Sequence, residues 1–391
     1  MHVQVGIVGA GPAGLVLARL LHLQGISCAI LESRTRAYAE ERIRAGLLEQ
    51  GSVDILNDTG MGERLRREAL PHDGIELLFG GERHRINMQE LIGRRVYIYG
   101  QQEVVKDAIA VNLAAGVPIH FEAEVTKFEG ADTPRPAIHY RHEGAEHTLT
   151  CDYIAACDGF HGIGRSSFAS PQRRDYDRIY PFGWLGILVD APPAHHELLY
   201  CHHERGFALF TMRSPKVSRL YLQVPPDEDE SQWSDDRIWN EFRLRLGSDN
   251  GLKVNEGRIT QKTVVEMRSY VTEPMRHERV FLAGDSAHIV PPTGAKGMNL
   301  AISDVYVLSR ALGAFYKRGD SAGLDGYSDK CLRRVWGAQH FSWWMTSLLH
   351  TMPDASRFDI RRQIAELQTI TGSKAGQTLL AENYAGLPLE M

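Results

Sequence analysis

This sequence has little that would place it in a membrane, on nucleic acid or in a disulfide-stapled scaffold. Its 391 residues contain five cysteines, Cys28, Cys151, Cys157, Cys201 and Cys331. The number is odd and no CxxC spacing occurs, so reduced thiols in a cytoplasmic protein are expected. No apolar run reaches the ~18 residues of a membrane span, and no secretory signal pattern precedes the first strand. The 17 histidines include no pair in a metal-ligand spacing, so no metal is expected. A net charge of −5 offers no basic footprint for nucleic acid. Internal repeats and low-complexity segments are also missing. Hydrophobic content of 43% and charged content of 24% are those of a soluble globular enzyme with core enough for two or three domains.

What is present begins almost at the first residue. Val5-Gly6-Ile7-Val8-Gly9-Ala10-Gly11-Pro12-Ala13-Gly14 is a dinucleotide clamp. Val3 to Val8 is a buried strand, and the apolar stripe from Ala13 to Leu23 is a helix. Gly9 permits the tight turn, Gly11 lets backbone amides approach a pyrophosphate, and Gly14 lets helix and strand pack closely. Glu32 closes the next apolar run, Cys28 to Leu31, where an acid accepts the hydroxyls of a ribose.

Further along, residues 104–115 form an amphipathic helix. Ile119 to Val125, Ala137 to His142 and His147 to Ala155 alternate like strands, with Glu143-Gly144 as a hairpin turn. From about 180 to 275 the pattern becomes a separate sheet, with strands at 185–189, 197–201, 207–212, 219–224 and 259–267 and one helix at 235–246. A buried strand returns at Arg279 to Ala283. Helices near 297–317, 325–351 and 356–370 follow. The expected division is 1–180, 181–275 and 276–391, an α/β nucleotide layer interrupted by a sheet domain and closed by helices.

Two more strand-ending turns join the first. Cys157-Asp158-Gly159-Phe160-His161-Gly162 follows the strand Tyr153 to Ala156. Leu282-Ala283-Gly284-Asp285-Ser286-Ala287-His288 precedes Pro291-Pro292-Thr293-Gly294. Each puts an acid and free amides at the carboxyl edge of a sheet, where doubly wound folds bind their ligand.

The three fingerprints in this order resemble the class A FAD-dependent aromatic monooxygenases. The resemblance extends over nearly the whole chain to the branch that hydroxylates 4-hydroxybenzoate. Segments that carry it include Arg42-Ile43-Arg44-Ala45-Gly46, Leu48-Glu49-Gln50-Gly51, Tyr99-Gly100-Gln101, Phe182-Gly183-Trp184-Leu185-Gly186, Phe341-Ser342-Trp343-Trp344-Met345 and Ala381-Glu382-Asn383-Tyr384. It implies a mixed α/β, Rossmann-like FAD-binding domain, an inserted β-sheet substrate domain and a helical C-terminal region. It implies conversion of 4-hydroxybenzoate to 3,4-dihydroxybenzoate with NAD(P)H and O2, through a flavin C4a-hydroperoxide.

The resemblance also assigns residues. FAD would be held by Gly9, Gly11, Pro12, Ala13, Gly14, Glu32, Arg42, Arg44, Gln101, Asp158, Arg219, Asp285, Gly297, Met298 and Asn299, with Lys296 adding positive charge near the flavin. Arg213 would grip the substrate carboxylate with its bidentate fork, assisted by Thr211, Tyr221 and Thr293. Thr211 stands where the family usually has serine, which adds a methyl to the pocket. Tyr200 would hold the phenol oxygen, Tyr384 would hold Tyr200, and His72 would pass the proton to solvent. Pro292 would offer its carbonyl near the same oxygen.

No second GxGxxG serves a nicotinamide cofactor, and the resemblance places it against Arg44, His161 and Arg268. Ser33 stands directly after Glu32, where NADPH-preferring members commonly carry arginine. Arg34 and Arg36 could still meet a 2′-phosphate, so NADPH and NADH both stay open. The family tends to be dimeric, and a homodimer is expected. Two rival readings are a monooxygenase for another aromatic acid and a flavin-binding redox sensor without turnover.

Overall fold

Alternating apolar side chains make His2–Val8 a central strand with both faces covered: Val5 and Ile7 are fully buried. In the computed structural model, which describes residues 2–44, 46–167, 173–247 and 251–388, this strand lies between Cys28–Leu31 and Ala145–Ala156, parallel to both. Ile119–His120 extends the sheet on one side, and Val280–Leu282 with Arg276–His277 on the other. Helix Pro12–Leu23 starts with proline at its first position, where the missing N–H costs nothing. Helices Gln101–Ala114 and Gly297–Arg318 pack against it, and the buried Asn112 amide donates to the Leu15 carbonyl at 3.0 Å.

The expected strand Ile119 to Val125 is divided in two. Ile119–His120 pairs with Ile30 and Leu31, whereas Glu124–Glu129 joins Ala137–His142 in a meander. Glu122, at φ 56°, turns the chain between them. The Ala123 amide bonds the Glu32 carbonyl at 2.8 Å, which holds the turn against the nucleotide edge.

A second sheet of eight strands runs in the order His288–Ile289, Arg258–Glu273, Arg174–Asp190, Val217–Val224, Ala208–Ser214, Leu198–Cys201, Gly74–Phe79, Glu82–Asn87. Its membership departs from the expected segment 181–275. Its long strand starts at Arg174, and two of its strands come from within 1–180. The strand Gly74–Phe79 pairs in parallel with Leu198–Cys201 and covers what would otherwise be an open edge. A small sheet of Leu47–Glu49, Val96–Ile98 and Leu70–His72 forms no ladder with either larger sheet, though Leu47, Val96 and Ile98 share a core with the second. Helices Tyr327–Leu349, Arg357–Gly372 and Lys374–Ala385 close the structure; the last was not legible beforehand. All five cysteines are unpaired and buried. Among the described residues no helix is long and apolar enough to cross a membrane.

Candidate active site

The first fingerprint has the shape its glycines imply. Gly9 sits at φ 100°, and a Cβ there would meet the Cys157 carbonyl oxygen at 2.4 Å. A Cβ at Gly14 would lie 2.0 Å from the Gly9 carbonyl oxygen, whereas one at Gly11 would meet nothing within 4 Å. Gly11 therefore leaves open space at the N-terminus of helix Pro12–Leu23, next to Pro12 and the buried Ala13, as a bound pyrophosphate requires. The Glu32 carboxylate accepts the amides of Ala10 at 2.7 Å and Arg34 at 2.8 Å. Arg34 and Arg42 lie over the Tyr38 ring at 5.4 and 5.8 Å, and Ser33 is exposed beside them.

Asp285 is solvent-accessible yet surrounded by protein, as on the floor of a cleft, and that surround raises its pKa while His288 and Arg44 oppose the shift. Arg44 is near enough for Asp285 and Arg42 to act on it. Ala45 of the same segment lies outside the described residues. Beneath this floor Asp304 accepts the Gly284 amide at 2.9 Å and the His288 ring at 2.7 Å. Asp158 turns back to accept the Gly164 amide at 2.7 Å, leaving Oδ1 buried and unpartnered. Gln101 opens helix Gln101–Ala114, and Gly297 and Met298 open Gly297–Arg318. An accessible acid, a nearby arginine and an open glycine turn fit a dinucleotide.

Two expectations for the start of the last of these helices change. Lys296 is buried and bonds Glu49 Oε1 at 2.6 Å and the Tyr384 carbonyl at 2.9 Å. Burial lowers its pKa and Glu49 opposes this; its charge is thus compensated within the protein. Asn299 uses both ends of its amide on protein, accepting the Glu49 N–H at 2.9 Å and donating to the Leu47 and Ala295 carbonyls. Neither residue was expected to tie the small sheet to this helix. Glu49, the link between them, lay in a motif quoted above but gave no sign of its role.

Strand pairing gathers the substrate candidates. Tyr200 faces Leu209, Leu209 faces Tyr221, and Thr211 faces Arg219; with the two-residue period of a strand, these share one face. Gly186 lies opposite Tyr221, and a Cβ there would meet Arg219 Nη2 at 2.8 Å and the Tyr221 ring at 3.1 Å. Arg213 sits at the register shift between Met212 and Ser214, a bulge of the kind that re-aims a side chain. Its Nη1 donates to the Met212 carbonyl at 3.1 Å, while Nε is buried without a partner. Arg219 is 7% exposed, with Nε and Nη1 likewise unpartnered. Among the described residues neither guanidinium pairs with a carboxylate. Burial pushes the Tyr221 hydroxyl upward in pKa, but Arg213 and Arg219 together pull it below its ordinary value. Two uncompensated cations and a polarised hydroxyl fit an anionic ligand.

At the other end, the Tyr200 and Tyr384 hydroxyls meet at 2.6 Å. Burial raises both pKa values, so both are protonated near neutral pH. Tyr200 also reaches the Thr293 carbonyl at 3.3 Å. The Pro292 carbonyl, expected near the phenol oxygen, accepts the Ala295 amide at 3.0 Å within its turn. His72 is 1% exposed, with both ring nitrogens unpartnered, and burial lowers its pKa to about 4. No side-chain bond joins it to the tyrosine pair among the described residues.

A third grouping surrounds Phe160. Arg165 and Arg268 lie over its ring at 4.2 and 4.6 Å, and the exposed His161 meets it edge-on at 5.2 Å. The structure thus brings His161 and Arg268 together, and adds Arg165, which sequence reasoning missed. Arg268 is also paired with Asp177 at 2.8 Å.

Comparison with known proteins agrees with this geometry. The family model described as FAD binding domain matches residues 2–342. The p-hydroxybenzoate hydroxylase of Acinetobacter baylyi is 47% identical over 100% of this chain and 97% of its own. A probable NADH-specific resorcinol 4-hydroxylase of Rhodococcus jostii is 25% identical, over 83% of this chain and 61% of its own. Among solved structures, p-nitrophenol 4-monooxygenase PnpA of Pseudomonas putida DLL-E4 superposes with a TM-score of 0.84 at 19% identity, covering 99% of both chains; that likeness speaks for the fold. From the matched model and the full-length relative, the chain belongs to the FAD-binding-domain family of flavoprotein aromatic hydroxylases.

Proposed function

We propose that this enzyme hydroxylates 4-hydroxybenzoate to 3,4-dihydroxybenzoate, with FAD as its cofactor and NADH or NADPH and O2 as co-substrates. One observation carries the reading: Arg213, with no carboxylate partner among the described residues, bonds Tyr221, which shares a sheet face with Thr211 and Tyr200, and Tyr200 is bonded to Tyr384. A para-hydroxy acid presents an anion at one end and a phenol at the other. The full-length relative at 47% identity supports the same substrate.

In this reading the nucleotide layer binds FAD through the Gly9 to Gly14 turn, Glu32, Arg44 and Asp285. When bound, FAD supplies the activated oxygen. Arg219, which bonds Tyr221 but keeps Nε and Nη1 without partners, faces the anionic side of the cofactor or substrate. The second sheet, whose strands lie within 174–273 and are joined by those of 74–87 and 288–289, covers the aromatic acid and keeps water out. Arg213 and Tyr221 hold the carboxylate. Tyr200 accepts the phenol proton as it releases its own to Tyr384, and Tyr384 gives up its own in the same step, which favours the electron-rich phenolate without a charged tyrosine standing in the site. His72, neutral at pH 7, is the exit for that proton. Arg268, His161 and Arg165 receive the phosphates of the nicotinamide cofactor.

We also propose a cytoplasmic homodimer. Tyr176, Trp336 and Trp343, each about 40% exposed, line a groove of about 410 Å³, an aromatic surface suited to a second copy.

The direct test mixes purified, FAD-loaded protein with NADH or NADPH, oxygen and 4-hydroxybenzoate. Nicotinamide oxidation stimulated by the acid, with 3,4-dihydroxybenzoate as product, is the expected result. Stimulation only by another aromatic acid would reassign the substrate. No stimulation by any such acid would favour a redox sensor.

A further inference from the structure

One fully buried histidine has no part in the roles above, yet it stands between the two ends of the site. His350 follows helix Tyr327–Leu349 and is 0% exposed. Its Nδ1–H donates to the Thr346 carbonyl at 2.9 Å, so Nε2 is bare and accepts the Trp184 indole N–H at 2.7 Å. Partners of opposite sense fix a single neutral tautomer. The ring is also clamped by stacking. Phe207 lies at 4.4 Å, Phe182 at 4.6 Å and Trp184 at 5.8 Å, all within 26° of parallel.

Two lines of contact lead from this plate to the phenol end. Phe207 packs on Tyr200 at 6.2 Å. Thr346 Oγ1 is hydrogen-bonded to Thr293 Oγ1 at 2.9 Å, and the Thr293 carbonyl receives the Tyr200 hydroxyl. A third line leads to the acid end, where Trp184 packs on Tyr221 at 4.9 Å. One rigid unit therefore touches both grips.

We propose that His350 and Trp184 are positioning residues that set the span between the phenol grip at Tyr200 and the acid grip at Arg213 and Tyr221. The inference rests on the aromatic-acid reading above. A phenol is ionised well by the tyrosine pair only when its oxygen arrives at Tyr200 while its carboxylate is seated. The span thus decides both which ring length fits and how readily the phenol loses its proton. The titratable groups that face Tyr200 are Tyr384 and Tyr221, and the one acting on His350 is His202.

His350→Phe preserves a flat ring but leaves the Trp184 N–H without its acceptor and the Thr346 carbonyl without its side-chain donor. His350→Gln restores a donor and an acceptor. Trp184→Phe removes the N–H from the other side, and serves also if His350→Phe fails to fold. All are compared with the parent as FAD-loaded protein. The ionisation of bound 4-hydroxybenzoate is followed by its phenolate absorbance against pH, with the FAD dissociation constant and the peroxide released per nicotinamide oxidised. In His350→Phe the ionisation midpoint is expected to rise by about one pH unit and peroxide release to grow ~3-fold, since the hydrogen-bonded chain acts as a unit. Trp184→Phe moves in the same direction, His350→Gln returns toward the parent, and FAD affinity stays within about twofold. Midpoints and coupling unchanged in both aromatic variants would overturn the proposal. So would FAD and substrate affinities that fall together in every variant, the mark of a general packing role. A parent that does not bind 4-hydroxybenzoate refutes the aromatic-acid reading itself, and the inference with it; a parent that binds, with variants that do not differ, refutes the inference alone.

Discussion

Replacing Arg213 by glutamine separates the demands of folding from those of binding. In the ligand-free protein this guanidinium is desolvated and has no carboxylate to meet. Arg213 is half-buried and bonds the Met212 carbonyl and Tyr221, but no carboxylate loses its partner when the guanidinium is removed, so the cost to the fold is small. For the complex the cost is large. Truncating one partner of a buried, hydrogen-bonded charge pair costs on the order of 2–5 kcal/mol, and ~3 kcal/mol weakens binding about 100-fold. At a benzoate concentration of about 100 times the parent's Kd, the parent gains ~2.7 kcal/mol of stability, whereas the variant sits near its own Kd and gains ~0.4 kcal/mol. An unfolding entropy of about 2.1 cal/mol/K per residue over the chain is ~0.8 kcal/mol/K, so the ligand raises Tm by roughly 3 °C in the parent and by about 0.5 °C in the variant. Thermal scans of both proteins, with and without 4-hydroxybenzoate, give all four values. A variant as responsive to ligand as the parent, or one whose ligand-free Tm drops by several degrees, would refute the assignment of Arg213 as an anion clamp.

Three other outcomes are expected. Tyr200→Phe keeps FAD bound and keeps oxidation of the nicotinamide stimulated by substrate, but diverts oxygen to peroxide; product formed per nicotinamide oxidised measures this, and full coupling at neutral pH would remove the proton relay. Lys296→Met leaves Glu49 with Arg334 alone at 3.2 Å, and stability falls by ~3 kcal/mol as a buried carboxylate loses its closest partner, seen as a lower urea midpoint. His72 stays neutral in the fold down to about pH 4 because burial depresses its pKa, whereas the unfolded chain takes up the proton near pH 6.5. The unfolded state then binds more protons, so stability is lost as pH falls from about 6.5 to 4, by roughly 3 kcal/mol. Urea midpoints at pH 7 and pH 5 should therefore differ less in His72→Leu than in the parent, and an unchanged difference would exclude this histidine as a source of acid sensitivity.

Sequence periodicity was informative where an element pairs with near neighbours or carries its own punctuation. Helix Asp235–Leu246 begins after Ser234, which caps it, and ends at Gly247, as its pattern indicated. The hairpin at Glu143-Gly144 has positive φ at both residues, 50° and 77°, as a tight two-residue turn requires. The strands Gly74–Phe79 and Glu82–Asn87 were not placed, although they pair with each other across Gly80-Gly81, both at positive φ, a turn signal legible in the sequence; only their seat beside Leu198–Cys201 depends on residues more than a hundred positions away. Glu197 takes the Arg85 guanidinium at 2.8 Å and the Gly74 amide at 2.8 Å, and neither bond leaves a trace in local spacing.

The site divides the same way. Glycine turns and strand-end acids are local, so the nucleotide cradle was visible. That Tyr200 and Tyr384 would touch came through resemblance alone. The compensation of Lys296 by Glu49 and the use of the Asn299 amide on the main chain of the small sheet depend on a helix start meeting a distant strand. Sequence order does not reveal such a meeting.

The tyrosine pair has a consequence for biosynthesis. One hydroxyl comes from the middle of the chain and the other from the last described helix, Lys374–Ala385. A nascent polypeptide that has just left the ribosome past Arg318 already carries every cofactor contact proposed above. It still lacks the second hydroxyl of the pair. The pair is completed only when the last described helix packs against the middle of the chain, so the coupling proposed for it is the last feature the folding protein acquires.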